Sequence, residues 1–250
     1  SSDHEAFVLK FSGFHLTQAG DCATDEGVII DDMTINLTAP ATSRDSRLAR
    51  AVKLPKKKLI RPSTTLCLPY AFTYAHWLYQ AIPRLEILEK AGINIGELSV
   101  LMPAAAKDWM INIAETYGLK REQMIFASQH PWEGQLIVAG IPRIQPSPES
   151  IAYLRSGVEN HLKTPTDVRL FITRPESYGR RILNESVVRE TVEHYGFKSI
   201  DPSVLPFSEQ VALFSRASAI VAVHGSALTN IIFCSPGAAV VELFPANHIG

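Results

Sequence analysis

His224, Gly225 and Ser226 follow directly on a short apolar run, Ala219–Val223, and precede a second apolar segment that ends at Phe233. A β-branched run of this length, bounded by a turn, is typical of a buried parallel strand. In an open α/β sheet, ligands bind at the carboxyl edge of the strands. The N–H groups of a helix that begins there bind phosphate, and small residues let the backbone come close to it. The pattern predicts a phosphate site at this turn, and a Gly-Ser turn with a purely structural role is the alternative.

The next strand candidate upstream is Val168–Thr173. Four arginines lie between Val168 and Arg181, together with a single acidic residue, Glu176. They are Arg169, Arg174, Arg180 and Arg181. Guanidinium groups bind phosphate oxygens through paired, charge-assisted hydrogen bonds. The cluster therefore predicts a diphosphate site at the carboxyl end of this strand, and arginines on a solvated loop are the alternative.

The second half of the chain alternates between strand and helix patterns. Asn184 is a good N-cap for a helix that Gly196 ends, and Ser208 precedes the next helix. The predicted order is strand 168–173, helix 184–196, strand 197–200, helix after 208, strand 219–223, helix after 225 and strand 239–244. Short strands joined by helices form a mostly parallel sheet with right-handed crossovers, so this half predicts an α/β domain.

The first half is less regular. An apolar helical face contains Trp77, and Pro83 lies inside that helix, where its missing N–H and its ring should kink or restart the helix. The basic run Lys53–Lys58 contains Pro55 and predicts a solvated loop, with contact to a membrane surface as the alternative. Further candidates are strands 6–11, 28–30, 99–102, 123–126 and 135–138 and a helix over 104–117. These elements also predict an α/β layer.

The densest proline segment of the chain lies between residues 141 and 148, with prolines at 142, 146 and 148. We expect the hinge between two domains here, followed by a bridging helix over 149–163. The prediction is an N-terminal α/β domain over 1–148 and a C-terminal domain over 149–250, which agrees with common domain sizes of about 100–150 residues.

Several strings, in the expected order along the chain, resemble glycosyltransferase family 61. His224–Asn230 is similar to the family string His-Gly-Ala-Gly-Leu-Thr-Asn, with the small residues Ser226 and Ala227 in place of Ala-Gly. Tyr74–Leu85 resembles a family segment with His-Trp and Pro-Arg-Leu. Other matching strings are Ile172–Arg174, Arg181–Asn184, Gly196–Phe197, Phe207–Gln210 and Val241–Leu243. The family includes xylosyl-, arabinosyl- and protein O-GlcNAc-transferases and bacterial proteins assigned to capsular polysaccharide biosynthesis.

The resemblance implies two Rossmann-like domains that face each other across a cleft, which is a GT-B-like arrangement. The nucleotide sugar would bind the C-terminal domain and the acceptor mainly the N-terminal one. The implied activity is that of an inverting glycosyltransferase, which moves a sugar from a nucleotide sugar, a UDP-sugar, to a glycan or other hydroxyl acceptor, in surface polysaccharide synthesis. GT-B enzymes normally continue beyond the point reached at Pro245, so we expect a fragment or a short member of the family.

The resemblance also implies roles for individual residues. His76, on the acceptor side, is the candidate general base because an imidazole exchanges protons near neutral pH, and a capping or core-edge histidine is the alternative. Trp77 and Arg84 are the candidate acceptor-binding residues, although core packing is the default for a tryptophan in an apolar helix. Glu242 would accept hydrogen bonds from ribose hydroxyls or form a strand-end ion pair. The candidate donor-binding residues are Arg174, Arg181, His224, Gly225, Ser226, Ala227, Asn230 and Glu242.

The sequence predicts neither a metal site nor a cofactor beyond the donor substrate. It contains no Asp-x-Asp motif of the kind that metal-dependent transferases use, and we interpret Asp31–Asp32 as a turn. Negative charge that develops on the leaving β-phosphate would instead be stabilised by arginines and by backbone N–H groups.

Charge and composition exclude other function classes. The chain has 24 Lys and Arg against 25 Asp and Glu, a net charge of −1, so we expect no nucleic-acid partner. No stretch approaches the ~18–20 apolar residues of a membrane span, which leaves peripheral membrane association open. The 3 cysteines have no disulfide or metal spacing, which favours a reducing compartment. We expect a cytoplasmic or membrane-peripheral protein if the source is bacterial, and a Golgi or ER lumenal protein if it is eukaryotic.

Two other function classes stay open on the sequence. A nucleotide-sugar epimerase with the same fold would also bind a UDP-sugar but would need no separate acceptor. A truncated, non-catalytic module would retain the nucleotide site without turnover.

Overall fold

The computed structural model describes residues 6–16, 22–24, 55, 57–68, 70–127, 132–140, 146–163, 166–173 and 182–244. The chain forms two compact units, Ser1–Leu154 and Arg155–Gly250, and the division falls within the helix Pro148–Ser156. Each unit contains one β-sheet together with helices, which confirms the predicted α/β class. The domain limits at 148 and 149 stay a prediction.

The described part of the first unit contains a seven-stranded mixed sheet. Its strands are β1 (Phe7–Leu16), β2 (Cys22–Thr24), β3 (Lys57–Lys58), β4 (Ser63–Thr65), β5 (Ser99–Met102), β6 (Met124–Phe126) and β7 (Trp132–Gly140). The strand order is β2-β1-β7-β4-β5-β6, and β3 also pairs with β7. β1 runs antiparallel to β2 and β7, whereas the other pairs are parallel. The predicted strand over 28–30 lies outside the described residues.

β7 is the central strand of this sheet and is buried on both faces. Leu136 and Val138 belong to one apolar cluster, which also contains Phe14. Ile137 and Ala139 belong to a second cluster on the opposite face. Because side chains alternate across a strand, a continuous apolar run suits a strand that is covered on both sides. This explains why residues 135–138 could be predicted as a strand from their composition.

The helices of this unit are α1 (Tyr74–His76), α2 (Pro83–Lys90), α3 (Asp108–Thr116) and α4 (Pro148–Ser156). A π-helical turn, Trp77–Ala81, joins α1 to α2, and the N–H of Ile82 donates to the carbonyl of Trp77, five residues back, at 3.0 Å. Pro83 then occupies the first position of α2, where a missing N–H costs least. The prediction that Pro83 restarts the helix is confirmed.

The prediction of a solvated loop over Lys53–Lys58 was wrong for its last two residues. Lys57 and Lys58 form β3, parallel to Trp132 and Glu133 of β7. The N–H of Leu59 donates to the carbonyl of Glu133 at 2.8 Å, and the Lys57 ammonium lies 5.9 Å from the centre of the Trp132 ring. These backbone bonds and the cation–π contact favour a strand where side-chain charge alone predicts a loop.

The described part of the second unit contains a four-stranded parallel sheet in the order β11-β10-β8-β9. Its strands are β8 (Val168–Ile172), β9 (Phe197–Ile200), β10 (Ala217–Val223) and β11 (Ala239–Leu243). Its helices include α5 (Glu185–His194) and α6 (Phe207–Ser215). Strands and helices alternate along this unit as predicted. The segment after Gly225, expected as a helix, is a 3₁₀-helix over Ser226–Phe233.

Within the described residues, no helix is both long enough and apolar enough to cross a membrane.

An ion pair fastens the start of β8 to the junction between α6 and β10. The guanidinium of Arg216 donates from Nε to Oδ1 of Asp167 at 2.9 Å and from Nη2 to Oδ2 at 2.6 Å. The N–H groups of Asp167 and Val168 also donate to the carbonyl of Arg216. The hydrogen bonds from Arg216 hold the pKa of the Asp167 carboxyl below its usual range.

We expect Asp167→Asn to lower the melting temperature by up to a few °C near neutral pH, because the pair lies on the surface. A depressed pKa in the folded state stabilises the protein above the unfolded pKa of about 3.9, and this contribution is lost as pH falls through the folded value. The difference between wild type and variant should therefore narrow below about pH 4, as measured by thermal melts from pH 3 to 8. Arg216→Lys is the control that retains the charge without the paired geometry, and a difference independent of pH would contradict the prediction.

Candidate functional site

The His224 loop lies at the carboxyl edge of the sheet in the second unit. β10 ends at Val223, and the N–H of His224 donates to the carbonyl of Leu243, the last residue of β11, at 2.9 Å. On the other side of β10, Ile172 at the end of β8 lies opposite Ala222. The parallel register brings the ends of three strands together, at the edge where open α/β sheets bind ligands.

His224 and Glu242 form a pair at this edge. Nδ1 of His224 lies 2.7 Å from Oε1 of Glu242, and the two side chains are 35% and 33% exposed. The ring of Phe244 stacks on the imidazole, with 4.8 Å between ring centres and 23° between the planes. Because an ionised carboxylate only accepts, the hydrogen lies on Nδ1 of His224. Glu242 thus lies beside His224 near the end of β11, and its role toward ribose hydroxyls stays a prediction.

The backbone after His224 turns into the 3₁₀-helix through Gly225. The N–H of Leu228 donates to the carbonyl of Gly225 at 3.0 Å, so the helix begins at the expected turn. Gly225, Ser226 and Ala227 are all half-buried. The N–H groups of a first helical turn have no partner inside the helix, which is the property that suits them to an anion.

Asn230, a candidate donor-binding residue, lies inside the second unit, and its role toward the donor stays a prediction. Its side chain is fully buried, and its Nδ2 donates to Oε1 of Gln210 in α6 at 2.9 Å. Thr229 beside it is also buried. This buried hydrogen bond therefore links α6 to the 3₁₀-helix that follows His224 and Gly225.

His76, the candidate base, lies at the end of α1 in the first unit. Its side chain is half-buried, and its Nδ1 lies 2.6 Å from Oε1 of Gln80 in the π-helical turn. Gln80 is buried, and within the described residues its Nε2 has no hydrogen-bond partner. An amide oxygen accepts, so Nδ1 of His76 carries the hydrogen and Nε2 of the neutral ring holds the lone pair. The imidazole of His76 is also 5.6 Å from the Tyr70 ring, centre to centre.

Trp77 and Arg84, the candidate acceptor-binding residues, are both buried. Trp77 has no exposed surface, and its ring meets Trp109 edge-on with 6.5 Å between the centres. Core packing, the default expected for Trp77, is what the structure shows, and no face of its ring is open to a sugar. Arg84 is 2% exposed. Its role toward an acceptor stays a prediction.

Cys67 and Cys234 are not candidate nucleophiles. Burial raises the pKa of the Cys67 thiol to about 12, although Thr65 and the charge of Arg84 act in the opposite direction. Burial likewise raises the pKa of the Cys234 thiol to about 11. Both side chains remain thiols at neutral pH, and a thiol is a far weaker nucleophile than a thiolate.

Comparison with known proteins identifies a family to which the chain is similar. The family described as Glycosyltransferase 61 matches residues 74–241, a range that begins just before His76 and includes the His224 loop. The chain belongs to the glycosyltransferase 61 family. An 89-residue stretch is 33% identical to protein O-linked-mannose beta-1,4-N-acetylglucosaminyltransferase 2 of Mus musculus. It is 32% identical to the proteins of the same name from Homo sapiens and Pan troglodytes.

The similarity to these curated relatives is partial. The matched stretch covers 34% of this chain and 15% of the length of each relative. This similarity therefore supports membership of the glycosyltransferase 61 family. It does not show that this chain uses the substrates named for the relatives.

Arg174 and Arg181, the candidate diphosphate ligands of this family member, lie outside the described residues, as do Glu176, Arg180 and Asp31–Asp32. Of the predicted cluster, Arg169 is described, and its Nη1 donates to the carbonyl of Tyr195 at 2.7 Å. Arg169 therefore ties β8 to the turn after α5. The described residues contain no group of three or more His, Cys, Asp and Glu side chains that could hold a metal ion.

Three residues near the candidate histidines were missed by the sequence analysis. Gln80 carries a detectable signal, because it follows His76 by four residues, the spacing that brings side chains together on a helix. Tyr70 and Phe244 carry no such signal. Tyr70 contacts His76 because a turn brings the two rings together. Phe244 contacts His224 because β10 and β11 are paired, although more than a dozen residues join these strands.

We expect the tautomer of His224 to depend on Glu242. At pH 8, where an ordinary imidazole is neutral, the wild-type ring should carry its hydrogen on Nδ1. Glu242→Ala should shift the population toward the Nε2–H form, whereas Glu242→Gln, whose Oε1 can still accept, should retain the Nδ1–H form. Two-bond ¹H–¹⁵N correlation spectra of the histidine rings measure this directly. The same tautomer in wild type and Glu242→Ala would contradict the pairing.

Proposed function

We propose that this protein is an inverting glycosyltransferase, which transfers a sugar from a UDP-sugar to a hydroxyl group of a glycan acceptor. The second unit would bind the donor and the first unit the acceptor, in the GT-B-like arrangement of two Rossmann-like domains that the family implies. A glycan of a surface polysaccharide is the acceptor class that we propose. The observation that carries the proposal is the hydrogen bond between His76 and Gln80, in a segment that matches the glycosyltransferase 61 family.

The His76–Gln80 bond prepares a general base. The amide oxygen of Gln80, 2.6 Å away, can only accept from Nδ1, which leaves Nε2 as the atom that can receive a proton. Gln80 is only 1% exposed, and this burial restricts the movement of its side chain. His76 itself is only half-buried, as a residue that meets a substrate must be. A positioned imidazole of this kind contributes about 10²–10⁴-fold to a rate.

On the donor side, the His224 loop supplies groups that suit a diphosphate. A protonated His224 would donate to phosphate oxygens, and the N–H groups of the first 3₁₀ turn would add further donors. Arg174 and Arg181, which follow β8 in the sequence, are proposed to bind the same diphosphate. With this set of donors we propose that the leaving group is stabilised without a metal ion.

The proposed reaction is a single displacement. The acceptor hydroxyl oxygen bonds to the anomeric carbon of the donor sugar, while the bond from that carbon to the β-phosphate oxygen breaks. The electron pair leaves with UDP, whose new negative charge is stabilised by His224, the arginines and the backbone N–H groups. The hydroxyl proton passes to Nε2 of His76. Attack opposite to the leaving group inverts the anomeric configuration.

The first test removes the base. His76→Ala should lower the transfer rate at least about 100-fold while leaving the dissociation constant for UDP unchanged, because base and diphosphate groups belong to different units. His224→Ala is the matched control and should weaken UDP binding about tenfold or more, since a charge-assisted hydrogen bond is worth roughly 1.5–3 kcal/mol. Radiolabelled transfer assays and calorimetry with UDP measure the two effects.

Three outcomes would contradict parts of the proposal. A fully active His76→Ala variant would reject His76 as the base and make His224 the next candidate. Loss of all transfer in EDTA, with recovery on adding Mn²⁺ or Mg²⁺, would reject metal-independent stabilisation. A wild-type protein that binds UDP but transfers to no acceptor would favour the non-catalytic module, and conversion of the free UDP-sugar to an epimer would favour the epimerase.

The second test addresses Gln80 as a positioning residue. Gln80→Met has a similar length but cannot accept from His76, so we expect kcat to fall about five- to tenfold with the acceptor KM unchanged. In the His76→Ala background the same substitution should have no further effect on kcat. The melting temperature should not fall, because the substitution removes a buried amide whose Nε2 has no partner among the described residues. A lower melting temperature with unchanged kcat would assign Gln80 a structural role instead.

A further inference from the structure

A turn directly ahead of α1 exposes two aromatic side chains. Tyr70 is 48% exposed and Phe72 is 42% exposed, whereas Ala71 between them is fully buried. The turn leads through Thr73 into the helix that carries His76. The Tyr70 ring lies 5.6 Å from the His76 imidazole, centre to centre, with 34° between the planes. The exposed Tyr70 side chain therefore borders the group that we propose as the base, and the exposed Phe72 follows two residues later.

The backbone holds Tyr70 in an unfavourable conformation. Its φ of 62° is the one positive value among the described non-glycine residues. A left-handed conformation costs a residue with a side chain roughly 1–2 kcal/mol, and glycine avoids this cost. Two hydrogen bonds to the Tyr70 carbonyl fasten the turn, from the N–H of Thr73 at 2.8 Å and from its Oγ1 at 2.9 Å. Tyr70 thus occupies a position where glycine would suit the backbone better.

Aromatic packing and a backbone hydrogen bond support the turn. Tyr74 of α1 packs against Trp109 of α3 with 5.9 Å between ring centres, and Trp109 in turn contacts the buried Trp77. Ala71 donates its N–H to the carbonyl of Leu68 at 3.1 Å. Side chains that are already ordered by such contacts lose less conformational entropy when a ligand covers them.

We infer that Tyr70 and Phe72 form the subsite that binds the acceptor sugar, as a pyranose ring stacked on the exposed aromatic faces. The inference rests on the proposed function. A pyranose has an apolar C–H face that an aromatic ring can cover, while its hydroxyls point outward from the ring edge. The imidazole of His76 lies 5.6 Å from the Tyr70 ring, centre to centre, so a sugar bound at this turn would lie beside the proposed base.

The size of the surface favours a sugar over a protein partner. An aromatic side chain contributes about 150–250 Å² of buried area, so two of them supply at most about 500 Å². A stable protein interface buries about 800 Å² on each partner. One or two sugar rings match the smaller area.

The test uses Tyr70→Gly and Phe72→Ala in the full chain, with Phe126→Ala as the control. Phe126 is an aromatic residue of the same unit with similar exposure, 45%, at the end of β6. Saturation-transfer NMR with the methyl glycosides of mannose, glucose, galactose and xylose measures sugar binding. We expect at least one probe to bind the wild type, and its binding to weaken about five- to tenfold in Tyr70→Gly and Phe72→Ala, while Phe126→Ala binds as the wild type does. Tyr70→Phe retains the ring and should retain most of the binding.

The stability of the variants separates recognition from folding. Tyr70→Gly relieves the positive φ, so its melting temperature should equal or exceed that of the wild type while sugar binding falls. Absence of binding by any probe to the wild type, or equal binding by the wild type and the Tyr70→Gly variant, would overturn the subsite. Tyr70-dependent sugar binding in a protein that transfers nothing would support the subsite and reject the transferase. Normal transfer and normal acceptor KM in Tyr70→Gly would reject the subsite and leave the transferase intact.

Discussion

The parallel register between β10 and β11 is the constraint on which the candidate donor site depends. Val223 lies opposite Leu243, so the residues that follow each strand come to the same edge. His224 comes directly after β10, and Glu242 is the penultimate residue of β11, which brings their side chains within 2.7 Å. A slip of one residue would turn Glu242 to the opposite face of the sheet and separate the pair. The electrostatics of the site are therefore set by backbone pairing in the sheet.

In the first unit, the corresponding constraint is the proline at the start of α2. Pro83 has no N–H to donate, and the chain before it forms a π-helical turn in which Ile82 bonds to Trp77. Such turns are rare and occur frequently at functional sites. Here the turn contains Gln80, whose carbonyl group accepts from His76. The π-helical turn that precedes Pro83 thus also contains Gln80, the partner of the proposed base.

The sequence allowed most of the second unit to be predicted, because strand and helix patterns there are local. Ser99–Met102 in the first unit and Phe197–Ile200 in the second have the predicted bounds. The edge position of His224 also followed from the strand pattern, since parallel strands end on the same side. The buried state of Asn230 could not be foreseen, because it depends on Gln210 in a separate helix. The short strand at Lys57 and Lys58 and the antiparallel addition of β1 likewise depend on pairing with β7, which local composition does not encode.

The two histidines differ in the charge of the group that accepts from Nδ1, and this difference suits them to the different roles that we propose. Gln80 is neutral, so its effect on His76 is to choose which nitrogen carries the hydrogen. Glu242 brings a negative charge to the edge at which we propose that a diphosphate binds. That charge would repel phosphate beside a neutral His224, whereas a protonated His224 would cancel it and donate a hydrogen bond. We therefore propose that His224, beside the charged Glu242, binds the diphosphate and that His76, beside the neutral Gln80, is the base.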